Sequence, residues 1–225
     1  MPVDAAAPTE VTGFARVPDF ARGVVRDLRV RWALEEIGRP YRVTLLDAFA
    51  PRPDEYLAWQ PFGQVPAFAD GEVRLFESGA ILLYLGEADE RLLPGEASAR
   101  WNATAWLIAA LNSVEPMVMQ LVSLDVFNAG EEWAKLARPA ALNLLEERLR
   151  RVADALAGRD WLAGRFSIAD ILMVTVLRNL RHTDIVAGFA RLAAYQARGE
   201  GRPAFARALA DQSADYRDHA NGEAA

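Results

Sequence analysis

The sequence predicts an α/β domain followed by an all-α domain. Three observations point that way. Between residues 11 and 87, short runs with strand character alternate with helical periods. From residue 99 to about 210 the apolar residues keep a helical period and no strand pattern returns. Between them, residues 88–98 gather Asp, Glu, Arg, Pro94 and Gly95, the composition of a linker. A chain of 225 residues holds one large or two small domains. Residues 1–10, rich in Ala and Pro, and the polar stretch 211–225 are expected to be flexible ends.

Residues 11–17 read as the first strand, with Gly13 inside it, and residues 18–23 as a turn. A helix is expected over 24–37, where Leu28, Trp32 and the apolar residues up to Ile37 form a stripe; Gly38 stops it and Pro40 reinforces the stop. Residues 41–46 alternate and read as a second strand. Pro51, Pro53 and Pro61 break the next stretch, leaving room for one short helix around Tyr56. Ala67-Phe68-Ala69 and Val73-Arg74-Leu75-Phe76 form a hairpin in which Asp70-Gly71 supplies the positive φ angles of a tight turn. After Phe76 the period changes: Ile81, Leu82 and Leu85 sit at helical spacing, and Glu77-Ser78 falls where the helix begins. Ser78 therefore lies at a helix N-terminus, whose free N–H groups favour an anion. Val65, ahead of Pro66, is held extended, with its N–H and C=O open to a ligand lying alongside. This order, a parallel unit first and an antiparallel hairpin last, is thioredoxin-like.

The second half is helical throughout. Residues 99–127 are one long apolar-periodic stretch bent at Pro116, and Asn128-Ala129-Gly130 breaks it. The next helix, 131–157, is interrupted at Pro139 and ends at Gly158. Ser167-Ile168-Ala169-Asp170 opens a helix to about His182, with capping-box spacing and Phe166 placed as its staple. That element serves folding, not catalysis. Two shorter helices follow near 186–197 and 203–210, the last opening with Pro203 in its first turn.

Composition removes several function classes. The formal charge of −6 argues against a nucleic-acid surface and against an acidic membrane face. There is no cysteine, so disulfides and protein-thiol catalysis are excluded. His182 and His219 are too few and too far apart for a metal cluster. The N-terminal residues have neither the basic flank nor the apolar core of a signal peptide, and unbroken apolar runs fall short of the ~18 residues of a membrane span. A soluble cytoplasmic protein is the expectation.

The stretch from Gln64 to Leu85, with Ser167-x-x-Asp170 in the second half, resembles the glutathione transferase family over about residues 11–210. The resemblance implies a thioredoxin-like βαβ(α)ββα glutathione-binding domain over 11–87 and a transferase-type helical bundle over 99–210. It implies a bacterial type of enzyme, with a cis Val65–Pro66 peptide and Val65 pairing with the cysteinyl backbone of glutathione beside Gln64. Glu77 and Ser78 would take the γ-glutamyl end. The chemistry agrees, since a γ-glutamyl group carries an ammonium for Glu77 and a carboxylate for Ser78 and the helix N–H groups. Arg52, in the Pro-rich loop, would reach the glycyl carboxylate. A co-substrate pocket is expected on the long helix after the linker, with Trp106, Ala110, Ser113 and Met117 lining it. Glutathione would be a co-substrate without a metal, and a homodimer is expected.

The catalytic position departs from the family pattern. Lowering a thiol pKa by about two units from ~8.5 takes ~2.7 kcal/mol of preference for the thiolate. A helix N-terminus supplies about 0.3–2 kcal/mol and one hydrogen bond to the charged sulfur about 1.5–3 kcal/mol. A helix end plus one donor therefore suffices. The family's donor is a Tyr, a Ser or a Cys near the first helix, and the corresponding positions here hold Pro18, Val24 and Arg26. The donors left are the backbone N–H groups of Gly23, Val24 and Val25 and the guanidinium groups of Arg22 or Arg26; both arginines can equally pair with Asp19 and Asp27. The readings open at this stage are a detoxifying transferase that directs the thiolate onto a small electrophile, a glutathione-dependent peroxidase or dehalogenase, and a glutathione-binding or regulatory module without turnover.

Overall fold

The computed structural model describes residues 2–216. They form two compact units, one made of the residues up to Leu85 together with those from Pro203 on, the other of Gly86–Arg202. In the first unit β1 (Glu10–Arg16), α1 (Asp27–Ile37), β2 (Arg42–Asp47), α2 (Asp54–Trp59), β3 (Ala67–Asp70), β4 (Val73–Phe76) and the start of α3 (Ser78–Ala88) follow one another. The strands make one sheet in the order β2-β1-β3-β4. β1 runs parallel to β2 and antiparallel to β3, and β3 pairs antiparallel with β4. The inner strands carry the sealed residues Val11, Ala67 and Phe68, while β2 and β4 form half-exposed edges.

Two glycines are required by geometry. Gly71, with φ +58°, is the first of the two residues between β3 and β4, the position at which a type II′ turn demands positive φ. The turn is thus Gly71-Glu72, one residue later than the sequence suggested, because Asp70 is still paired with Val73. Gly13 lets β1 approach a buried ion pair: a Cβ there would lie 2.8 Å from Arg31 Nη2 and 3.0 Å from Asp27 Oδ2.

α1 begins three residues later than expected. Residues 22–26 form tight turns in which Val24 N donates to Ala21 O (3.1 Å) and Leu28 N to Val25 O (3.1 Å), with Gly23 at φ +74°. A left-handed residue there cannot continue a helix. The expected flexible start is also structured up to the sheet: Val3 bridges Tyr41, and Ala7 and Thr9 are buried.

The second unit contains α4 (Ala97–Ala109), α5 (Glu115–Val122), α6 (Glu132–Ala155), α7 (Ile168–Arg178) and α8 (Ala190–Glu200). α4 and α5 are joined by a π-helical turn over Ala110–Val114, and a second such turn spans Ser123–Phe127. Pro116, at the start of α5, therefore follows a π turn. The stretch Ala97–Phe127 holds an 18-residue window of mean hydropathy 1.4, long and apolar enough to cross a bilayer, which counting unbroken apolar runs did not register. Its Leu107, Ala110, Val114, Val118 and Leu121 are buried, and a core helix of this kind has the same hydropathy. α6 continues through Pro139 where an interruption was expected.

α7 is the centre of this unit, with every residue from Ile168 to Leu177 buried. The capping box forms: Ala169 N donates to Ser167 Oγ (3.3 Å) and Ser167 N to Asp170 Oδ2 (3.0 Å). Asp170 also accepts from Leu162 N (3.0 Å) and Tyr195 Oη (2.9 Å), so one carboxylate ties the preceding turn and α8 to α7. The expected linker is packed rather than loose, since Leu92 and Leu93 are buried and Leu92 O accepts from Ile168 N (2.9 Å).

The last helix, α9 (Pro203–Asp215), packs on α1 within the first unit, not with the bundle that precedes it in sequence. Phe205 meets Trp32 edge to face at 4.9 Å, and Arg207 Nε donates to Glu35 Oε2 (2.6 Å). The helix runs through 211–215, where a flexible end was expected; residues 217–225, with His219, lie outside the described residues.

Candidate functional site

The sheet register sets the site. β3 is antiparallel to β1, so Ala67, opposite Phe76 and bonded to Thr12, opens β3 at the end towards which β1 runs. Val65 and Pro66 precede Ala67, and Glu77 and Ser78 follow Phe76. They therefore fall at the same end of the sheet as the turn between β1 and α1. A direct bond closes the arrangement: Arg29, in the first turn of α1, donates from Nη1 to Ser78 Oγ at 3.1 Å. Both residues are buried.

The Val65–Pro66 peptide is cis. Its loop is held by a chain of hydrogen bonds through two hydroxyls. Ala67 N donates to Thr12 Oγ1 (2.7 Å), Thr12 and Tyr56 hydroxyls are 3.0 Å apart, and Tyr56 Oη donates to Gln64 O (2.6 Å). Burial pushes the Tyr56 phenol up, against the opposing Thr12 bond, so it stays a donor at neutral pH. Gln64 itself is exposed, and its N–H donates to Gln60 Oε1 (3.3 Å).

Glu77 has φ +70°, a left-handed conformation that costs a non-glycine residue about 1–3 kcal/mol. Its carbonyl accepts the first bond of α3 from Ile81 N (3.0 Å), while its side chain is exposed. Ser78 accepts from Arg29, so its own hydroxyl hydrogen is directed elsewhere. The result is an exposed carboxylate, a hydroxyl donor backed by a buried guanidinium, and a helix N-terminus, which together suit a zwitterion.

Other expected residues fall differently. Arg52 Nε donates to Gly63 O (2.8 Å), and its Nη1 donates to Asp47 O (2.6 Å) and Ala50 O (2.8 Å). It is a clamp on the backbone, with its guanidinium 5.0 Å from the Phe14 ring centroid. Arg22 pairs with Asp19 at 3.2 Å, as the alternative reading had it. Asp27 pairs with Arg31 at 2.8 Å instead of Arg26. The Val24 amide is committed to Ala21 O, which removes it as a thiolate donor. In the second unit Trp106 and Met117 are half-buried and Ser113 is exposed, but Ala110 is sealed in the core and cannot line a pocket.

Sequence reasoning missed the reach of α9. Gln212 Nε2 donates to Val25 O (3.2 Å) and Asp27 Oδ1 (2.7 Å), and Asp215 Oδ2 pairs with Arg31 Nη2 (2.5 Å). Burial pushes the Asp27 carboxyl up, opposed by Arg31 and Gln212. Burial also acts against the Arg31 charge, but Asp27 and Asp215 outweigh it and hold the guanidinium protonated. Contacts across more than 180 residues leave no local signal. Among the described residues no cluster of three or more His, Asp or Glu is placed to hold a metal ion.

Comparison with known proteins identifies the family. The family model described as glutathione S-transferase, N-terminal domain, matches residues 21–87, and that of the C-terminal domain matches residues 114–203. Glutathione S-transferase GstA of Escherichia coli O157:H7 is 31% identical over 185 residues, covering 78% of this chain and 89% of the relative. A solved glutathione transferase from Burkholderia graminis, with two glutathione molecules bound per subunit, is 29% identical with a TM-score of 0.77, covering 89% of this chain and 87% of that one. Another from Pseudomonas putida, with glutathione disulfide bound, is 26% identical with a TM-score of 0.78, covering 89% and 90%.

Proposed function

We infer that this chain, which belongs to the glutathione S-transferase family, binds glutathione in its first unit and promotes attack of the thiolate on a small electrophile. The carrying observation is the convergence of Val65, Glu77 and Ser78 at one end of the sheet, with Arg29 bonded to Ser78 at 3.1 Å. Val65 N–H and C=O pair with the cysteinyl backbone, Glu77 takes the γ-glutamyl ammonium, and Ser78 with the α3 N-terminus takes its carboxylate. Gln64 and Pro66 shape the loop. The relatives solved with glutathione or its disulfide support the ligand. The cysteinyl sulfur then lies towards the turn between β1 and α1, where the Val25 amide and the Arg22 and Arg26 side chains are nearest in sequence.

We place the protein among soluble, cytoplasmic, detoxifying enzymes. A homodimer is proposed, and Phe62, 68% exposed in the first unit, and Trp101, 70% exposed in the second, are exposed apolar side chains it would cover. A second reading, a glutathione-holding module without turnover, is favoured by one fact: Pro18, Val24 and Arg26 offer no hydroxyl or thiol to the sulfur. The ultraviolet thiolate band of bound glutathione separates the two. A band persisting at neutral pH, with conjugation of an activated aryl halide, supports the transferase. Bound glutathione with the ordinary thiol pKa of ~8.5 supports the module.

A further inference from the structure

The family's hydroxyl is missing from the start of α1, yet a phenol from the other end of the chain lies against that same turn. Tyr216, immediately after α9, is 7% exposed. Arg22 holds its guanidinium 5.8 Å from the ring centroid. The Gly23 amide faces the phenol oxygen and favours its charged form, but among the described residues no acceptor takes the phenol hydrogen. A buried O–H without an acceptor is a standing cost to a fold, and an acceptor brought by a ligand would relieve it. Tyr41 also has a buried hydroxyl without a partner among the described residues, but it precedes β2 at the opposite end of the sheet from Val65 and Ser78.

The position of Tyr216 is fixed by its neighbours. Gln212, 1% exposed, ties α9 to the Val25 carbonyl and the Asp27 carboxylate, and Asp215 ties it to Arg31. Tyr216 N donates to Ser213 O at 3.3 Å. The groups acting on the phenol are Asp27, Arg31 and Asp215, with Arg22 over its ring. Burial pushes the phenol up, and the carboxylates add to this against Arg31, so it remains protonated at neutral pH.

We propose that the Tyr216 hydroxyl donates the hydrogen bond that stabilises the glutathione thiolate, in place of the side chains absent at Pro18, Val24 and Arg26. The proposal rests on the functional reading above, that glutathione binds with its sulfur towards this turn. The thiol proton leaves to solvent; the phenol keeps its own and shares it with the sulfur. Gln212 and Asp215 act as positioning residues.

The test is Tyr216→Phe in the full chain, read in three ways. Glutathione affinity by calorimetry is expected to stay within about twofold, because the γ-glutamyl contacts are untouched. The thiol pKa of bound glutathione, from its ultraviolet band, is expected to rise by about one unit, and the conjugation rate with an activated aryl halide to fall about tenfold at neutral pH. The melting temperature is expected to hold or rise, since the variant removes an unpaired hydroxyl. Unchanged thiol pKa and rate with glutathione still bound would overturn the proposal and leave the binding site standing. A substantially lower melting temperature would overturn it too, by showing that the hydroxyl is paired within the fold. Failure of the unsubstituted chain to bind millimolar glutathione would overturn the functional reading and this proposal with it.

Discussion

Replacing Ser78 with Ala removes one oxygen at the point where α1 and α3 meet. Ser78 is 2% exposed and accepts from Arg29 Nη1 at 3.1 Å, so its hydrogen is free for a ligand carboxylate at the α3 N-terminus. A hydrogen bond to a charged group contributes about 1.5–3 kcal/mol, which converts to about 10- to 150-fold in Kd. The loss of the acceptor for Arg29 adds to this by loosening the guanidinium behind the anion. Calorimetric titration with glutathione measures the change, and a thermal melt of the same sample checks that the variant is folded. The α3 N–H groups remain, so binding weakens without vanishing. A folded variant whose Kd lies within about twofold of the original would refute the reasoning, because Ser78 would then touch no part of the ligand.

The remaining predictions concern the scaffold. Asp170→Ala removes the acceptor for Leu162 N, Ser167 N and Tyr195 Oη and should lower stability by about 2–4 kcal/mol in urea, against ~1 for a simple cap. Gly13→Ala places a Cβ 2.8 Å from Arg31 Nη2 and should cost about 1–3 kcal/mol; a neutral result would show that β1 can shift away from the buried pair. Burial raises the Asp70 carboxyl, but the Tyr84 hydroxyl and Arg39 outweigh it and hold the group below its ordinary 3.8. Its contribution is therefore present above about pH 4 and lost as pH falls through the lower folded value, so the stability gap between the native chain and Asp70→Asn should close on acidification. A gap independent of pH would contradict this. Light scattering should return a mass near twice that of the chain, and Phe62→Ser should shift it towards the monomer; a monomeric native chain would sink the proposed dimer.

Much of the first unit was legible because its signals are local. Asp70-Gly71 between two apolar runs marks a hairpin, and the change of period after Phe76 marks α3. The turn was misplaced by one residue because only pairing shows that Asp70 still belongs to β3. The start of α1 was misread because apolar Val24 and Val25 suit a helix, while the left-handed Gly23 beside them imposes turns. Pro139 favours an interruption by its local chemistry, yet α6 continues through it. Arg52 looked available for a carboxylate, but three backbone carbonyls claim it. Least legible was α9. Nothing near Gln212 or Tyr216 in the sequence indicates that they contact Val25, Asp27 and Arg22.

The most direct measurement compares binding of glutathione with that of cysteinylglycine, which lacks the γ-glutamyl group, by calorimetry on the unsubstituted chain. Saturable glutathione binding with at least about tenfold weaker binding of the dipeptide is the predicted result, since Glu77, Ser78 and the α3 N-terminus would lose their ligand. Equal affinity for the two, or no binding of glutathione at millimolar concentration, would contradict it.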